Sequence, residues 1–325
     1  MADKSKSSNY SKFGVRPRIL SPLSDPGVPE SFRFEGAGRF LRIFDRSRAG
    51  LGPSVRKKEM LHRFFEELAE AKLRSDIDMG YDISIVPYPL GFDLKGWGIL
   101  SDRVGRLYSA TPDSGNVAEL RYENGSCRTM RDWRALVESQ NPDEYDRIRF
   151  FYNRIKAITE KGVLVAGTIG FGLWDALWMA FDFKTAVRML SGDPDFAALV
   201  FRHWKSFHIG AVSAMLDAGI KMIFFRENAR GFSLSSEVSA RLDPFLRASF
   251  DELSHVVHTR GGTLFFDCDA DEMIETEYPI RWGFDGVGPL LFRDMEDLLS
   301  ARKVVNENLV LIGTSLCPFL PGASN

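Results

Sequence analysis

The chain has 325 residues, enough for one large core or two modest ones. Its 44% hydrophobic and 26% charged residues are those of a soluble globular protein, and a net charge of -2 gives no reason to expect a nucleic acid or an anionic membrane as partner. Cys127, Cys268 and Cys317 are too few and too far apart for a disulfide framework and fit a reducing cytoplasm; the polar stretch Met1 to Tyr10 has no apolar leader, and no stretch is long and apolar enough to span a bilayer.

Residues 1–30, rich in Ser, Pro and Lys, read as an extended N-terminal arm, with one barrel-like domain over 31–325. From there short apolar strands alternate with helices. The strands predicted are Phe32–Phe34, Ile83–Val86, Val163–Ala166, Met222–Phe225, Leu264–Phe266, Gly286–Pro289 and Leu309–Ile312, each short enough and apolar enough to be covered on both faces. Val55 to Arg74 predicts a helix with Met60, Phe64, Leu68 and Leu73 near one stripe. Residues 97–143 read as a hairpin insert that turns at Asn124-Gly125. Asp193-Pro194 opens a helix that stops at Gly219, and Ser235 with Glu237 opens another that runs past Pro244 to Gly261-Gly262. Asp294 caps a last helix, to about Val304.

Repeated strand–helix units predict an α/β fold, a (β/α)8 TIM-type barrel with or without its last β/α unit, because only seven strands are legible. No glycine-rich phosphate loop follows any strand, which weakens a nucleotide-binding reading. In a barrel the chemistry sits where strands end. The strand ends here carry Glu35 and Arg39, Pro87 and Tyr88, Thr168, Arg226 with Glu227 and Asn228, and above all Asp267-Cys-Asp-Ala-Asp-Glu272, with Asp82 at the start of its strand. Asp267 and Asp269, two apart on extended chain, point the same way and can share a proton or hold a divalent cation, while Cys268 faces the other way as a packed thiol. Glu227 and Asn228 can orient a ligand, and the planar fork of Arg39 can clamp a carboxylate or phosphate. Trp174 and Trp178 share a helix face, as core or as a ligand-facing wall. His203, His208, His255 and His258 fall on helices, so proton transfer is expected of carboxylates.

These segments resemble the uroporphyrinogen decarboxylase superfamily, which also holds the corrinoid-dependent methyltransferases. The likeness runs from about Phe32 to Gly313. It is carried by Gly36-Ala-Gly-Arg-Phe-Leu41, by Asp82-Ile-Ser-Ile-Val-Pro-Tyr-Pro-Leu-Gly91, by the run from Gly167 through Met189 to Gly219, and by Phe266-Asp-Cys-Asp-Ala-Asp271. What the resemblance implies for decarboxylating members is an arginine-lined bowl for an acidic tetrapyrrole, with Asp82 on the pyrrole N–H groups and Arg39 as the second arginine. The first arginine falls on Glu35, Trp178 stands where a tyrosine is expected, and the C-terminal histidine has no counterpart. In methyltransferase members a His-x-Cys zinc site activates a thiol; those positions read Asp267 and Asp269 here, an oxygen-rich pair suited to a harder metal or to none.

The expectation is therefore an enzyme of corrinoid-linked methyl transfer or demethylation, a methyltransferase acting on a small molecule with a corrinoid (cobalamin) carried by a partner protein. Asp82, Asp267, Asp269 and Glu227 are its candidate catalytic residues, Asp267 and Asp269 its candidate metal ligands, and Arg39, Tyr88, Trp178 and Asn228 its candidate substrate contacts. The alternatives are a decarboxylase of a tetrapyrrole (porphyrin precursor) that needs no cofactor, and a non-catalytic relative that binds a ligand or partner. A homodimer would cover the edges of an incomplete barrel.

Overall fold

The computed structural model describes residues 31–35, 55–88, 91–96, 99–112, 117–140, 143–159, 162–227, 236–267, 278–292, 295–304 and 308–315. The chain divides into two compact units. One comprises Met1–Gln140 with Ile158–Leu164 and Met179–Phe181; the other comprises Asn141–Ala157, Val165–Trp178 and Asp182–Asn325.

The first unit is built on an antiparallel sheet. Its strands are β1 (Ser31–Glu35), β3 (Phe92–Gly96), β4 (Ile99–Asp102), β5 (Arg106–Pro112) and β6 (Val117–Gly125), in the order β1-β6-β5-β4-β3. Phe32–Phe34, expected as a strand of the parallel barrel, instead pairs antiparallel with β6, Phe32 opposite Leu120 and Phe34 opposite Ala118. The alternation Ser-Phe-Arg-Phe-Glu suits a sheet covered on one face, not a strand buried on both. The Asn124-Gly125 turn is also corrected. Both residues lie within β6, paired with Leu107 and Arg106. Gly125 is there because β6 passes directly over the Ala180 backbone: a Cβ at Gly125 would collide with the Ala180 carbonyl, which accepts the Cys127 N–H at 2.9 Å. The tight β4–β5 turn is held by Asp102, which accepts from the Val104 and Arg106 N–H groups at 2.9 Å each and pairs with the Arg106 guanidinium at 2.5 Å.

Helix α1 (Val55–Asp78) belongs to the same unit and packs on β2 (Ile83–Pro87). Leu61, Phe64, Ala69 and Leu73 form its buried face, whereas Met60 is exposed. The stripe is thus rotated by one residue from the expected one at its N-terminal end. Asp76 ties the helix to the strand, accepting from Lys72 Nζ at 2.5 Å and from Ser84 Oγ at 2.6 Å. Helix α2 (Met130–Glu138) opens on a reciprocal cap between Thr129 and Asp132.

The second unit alternates helix and strand. It holds α3 (Glu144–Ile158), β7 (Leu164–Ile169), α4 (Leu173–Phe181), α5 (Phe183–Gly192), α6 (Pro194–Asp217), β8 (Met222–Arg226), α7 (Ser236–Thr259), β9 (Thr263–Asp267), α8 (Tyr278–Arg281), β10 (Gly286–Phe292), α9 (Met295–Val304) and β11 (Val310–Ser315). Neighbouring strands from β7 to β11 pair in parallel, in the order β11-β10-β9-β8-β7. The strand–helix alternation of a barrel is present, with five such strands in this unit among the described residues. The cap at Asp193, Pro194 in the first turn of α6 and the left-handed Gly219 (φ 79°) behind it stand where the sequence placed them, as does Pro244 inside α7. Leu242, Leu246, Phe250, Leu253 and Val257 make one buried stripe along α7.

The strand faces follow from register. A Cβ on Gly167 would meet Met215 Sδ and the Tyr152 hydroxyl, so Gly167 faces the helices, as does Phe225 against Phe250 and His208. Thr168, Phe224 and Phe265 lie in one row on the opposite face, with Arg226 and Asp267 in the next row toward the strand ends.

Replacing Gly125 by Ala should destabilise the protein by about 2–3 kcal/mol through the collision with the Ala180 backbone. A urea midpoint equal to that of the unmodified chain would show that the strand does not make this approach.

Candidate functional site

The C-terminal end of β8 carries the most unusual group of the second unit. Glu227 follows the last residue of the strand and is 1% exposed. Alternation turns it away from Arg226 and toward the start of α4. There its carboxyl accepts the backbone N–H groups of Leu173 (2.7 Å), Trp174 (3.2 Å) and Asp175 (3.3 Å). Those are the amides that a helix leaves without internal partners at its N-terminus. The residue before the helix, Gly172, has no side chain to cap them, and a Cβ there would run into the Glu227 carboxyl. Glu227 supplies from another strand the acceptor that α4 lacks locally.

A second acid crowds the same place. Asp175 is 2% exposed and accepts the Trp178 indole N–H at 2.9 Å. Burial, and then the nearby Asp175, raise the Glu227 carboxyl well above its ordinary range against the pull of the three amides. The pair therefore favours the protonated form more than two separate carboxylates in water do. Lone strand-end acids do not behave this way; two buried acids next to a helix end do.

Arg226 and Asp267 occupy the other face of the same edge. They end adjacent parallel strands as registered neighbours, each half-buried. Beneath them the Phe224 and Phe265 rings stack at 5.2 Å, and Thr168 Oγ1 is buried with no hydrogen-bond partner among the described residues. The edge thus offers a proton-holding acid pair on one side and a cation beside a carboxylate on the other.

Of the residues singled out in the sequence, Glu227 and Trp178 meet through Asp175, and Asp267 lies at a strand end as expected. Asp82 and Tyr88 sit at opposite ends of β2, about 20 Å apart along the strand at the usual rise. Asp82 is exposed and offers its carbonyl to the Leu164 N–H at 2.8 Å, while Tyr88 is buried. Asp82 is therefore not on the C-terminal end of its strand, and its pyrrole-binding role stays an implication of the resemblance alone. Arg39, Asn228, Cys268 and Asp269 lie outside the described residues. Among the described residues no group of three or more His, Cys, Asp or Glu is placed to hold a metal ion.

Sequence reasoning passed over Asp175 and Gly172. A signal was present, since Asp175 stands between Trp174 and Trp178 in the first turn of a helix whose preceding residue is a glycine. It also left His208 as structural or solvated. His208 is buried among Phe171, Phe207 and Phe225, and burial pushes its imidazole down to about 3, so it is neutral. It lines a cleft of about 10 Å³ with Leu173, Phe225, Ser249 and Phe250, room for about one water molecule.

No protein-family model matches the chain, and no curated protein does. Among solved structures it is similar to a methyltransferase from Methanosarcina mazei, at a TM-score of 0.50 and 13% identity, over 76% of this chain and 68% of that one. At this identity the likeness is one of fold.

The two buried groups give stability opposite dependences on pH. Glu227 binds its proton more tightly when folded, so its contribution is full below the ordinary glutamate range and is lost as pH rises above it, with a slope of at most about 1.4 kcal/mol per pH unit. His208 resists protonation when folded, so stability falls as pH drops from 6.5 toward 3, by roughly 5 kcal/mol in all. Thermal melting from pH 4 to 8 should lose its alkaline slope in Glu227→Gln and its acid slope in His208→Phe; slopes that survive both substitutions would place the titrating groups elsewhere.

Proposed function

We propose that this chain is a methyltransferase, moving a methyl group between the heteroatom of a small molecule and a corrinoid held by a partner protein. The observation that carries the reading is the Glu227–Asp175 pair, two buried acids gathered on the first turn of α4 at the C-terminal edge of parallel strands, where burial strengthens the hold of Glu227 on its proton. The likeness in fold to a methyltransferase and the sequence resemblance both support it.

A heteroatom that loses its methyl group leaves with an extra electron pair. In water it picks up a proton from solvent; in a dry site a side chain must provide one. The corrinoid would supply the metal centre that exchanges the methyl group. The chain's part is to bind the small molecule and manage this proton. Glu227 and Asp175 hold the proton, and the α4 amides stabilise the carboxylate that remains once it is given up. Trp178, half-buried and fixed by its indole bond to Asp175, provides a flat wall on the side of the acid pair, and Arg226 and Asp267, around the strand ends from it, anchor a remote polar group of the substrate. Asp267 acts here as a hydrogen-bond acceptor.

The test is spectroscopic. Methylcobalamin mixed with the protein and a panel of thiol, amine and phenol acceptors should show loss of the methylcobalamin spectrum with at least one of them. Glu227→Gln, which keeps the shape and the acceptor oxygen but not the acid, should lower kcat about 100-fold with little change in KM. A wild-type protein inert toward methylcobalamin with every acceptor, or a Gln variant of full speed, would refute the reading.

A further inference from the structure

Helix α1 of the first unit carries a histidine that the reading above does not use. His62 and Glu66 are four apart and therefore neighbours on one helix face. His62 Nε2 lies 3.1 Å from Glu66 Oε1, and each side chain is only 13% exposed. Exposed pairs of this kind are common and nearly neutral in energy. This one is mostly withdrawn from water, and its geometry dictates the tautomer. A carboxylate accepts and cannot donate, so in the neutral ring the nitrogen facing Glu66 carries the hydrogen and Nδ1 keeps its lone pair. Nδ1 is buried and has no hydrogen-bond partner among the described residues. A buried acceptor left unmet costs about 1–3 kcal/mol, which a donor brought to that atom would recover.

The surroundings narrow the donor. The Tyr88 ring stands edge-on to the imidazole, 6.1 Å between centroids, at the C-terminal end of β2. Tyr88 is 7% exposed, and Leu61 and Phe64 beside His62 are buried in the core. A charged ammonium would lose its hydration on entering such a place; a neutral hydroxyl would lose little. A base whose far nitrogen is anchored by a carboxylate is the orienting arrangement that proton-abstracting histidines share.

We propose that His62, oriented by Glu66, is a general base whose Nδ1 binds a neutral hydroxyl compound, an alcohol or a phenol, beside Tyr88. The O–H proton passes to Nδ1, the ligand oxygen keeps the bonding electron pair, and Glu66 stabilises the imidazolium that forms. This site lies in the first unit and does not depend on the methyl-transfer reading.

The experiment is 15N NMR of the histidine rings in the full-length protein, with phenol as probe and anisole, the same ring without the donor, as control. His62 should be protonated on Nε2 and not on Nδ1 in the free protein. Phenol should move the Nδ1 resonance saturably and anisole should not. His62→Gln should weaken phenol binding at least tenfold, and Glu66→Leu should mix the two tautomers. A free protein protonated on Nδ1, or equal responses to phenol and anisole, would overturn the proposal. Should the variants fail to fold, the phenol–anisole comparison on the unmodified protein decides by itself. The outcome is independent of any activity toward methylcobalamin, so the two readings can fail separately.

Discussion

The bond between Glu227 and the first turn of α4 is the constraint on which the candidate site depends. A helix end buried without acceptors is unstable, because each unmet amide costs about 1–3 kcal/mol. Here Leu173, Trp174 and Asp175 have no local cap, and a strand end 52 to 54 residues away in the chain closes the gap. The fit leaves no room for a side chain at Gly172. One contact therefore anchors α4 to β8 and sets Trp178 in place through Asp175.

That anchor is built from an acid under strain. A carboxylate facing three amides is well solvated by them, yet the buried Asp175 beside it and the loss of water favour the protonated form. The balance between these forces makes the pair a store for a proton instead of a permanent anion. Tight packing around it limits how far the charges can relax: Phe171, Trp204, Phe207 and His208 form a contiguous aromatic cluster behind α4's start. In the first unit Asp102 with Arg106, and Asp76 with Lys72 and Ser84, are also buried and charged, but each acid there has a cation as partner. At the start of α4 two acids, Glu227 and Asp175, lie close enough for one to strengthen the other's hold on its proton.

Much of the second unit was legible in the sequence because its signals are local. The Asp193-Pro194 start and the Gly219 stop each specify a backbone conformation that few other residues adopt there. The apolar runs Met222–Phe225 and Leu264–Phe266 could scarcely be anything but covered strands, and they pair in parallel. The first unit was harder to read. Phe32–Phe34 looks like any short strand, and only its partner β6 shows that it is antiparallel. Asn124-Gly125 has the composition of a hairpin turn, but the close passage of Ala180 is what requires the glycine.

The sequence by itself determined the alternation of strands and helices, the ends of the long helices and the place of Asp267 and Glu227 at strand ends, since those follow from neighbours within a few positions. Only the tertiary structure decided which acids meet. Glu227 and Asp175 are far apart in the chain, and nothing near either residue reveals that β8 ends against the first turn of α4. Tertiary structure likewise separated Asp82 from Tyr88 and withdrew the His62–Glu66 pair from water. Local spacing selects the conformation of a segment. Burial and charge at a given atom are set by whatever the rest of the chain packs against it.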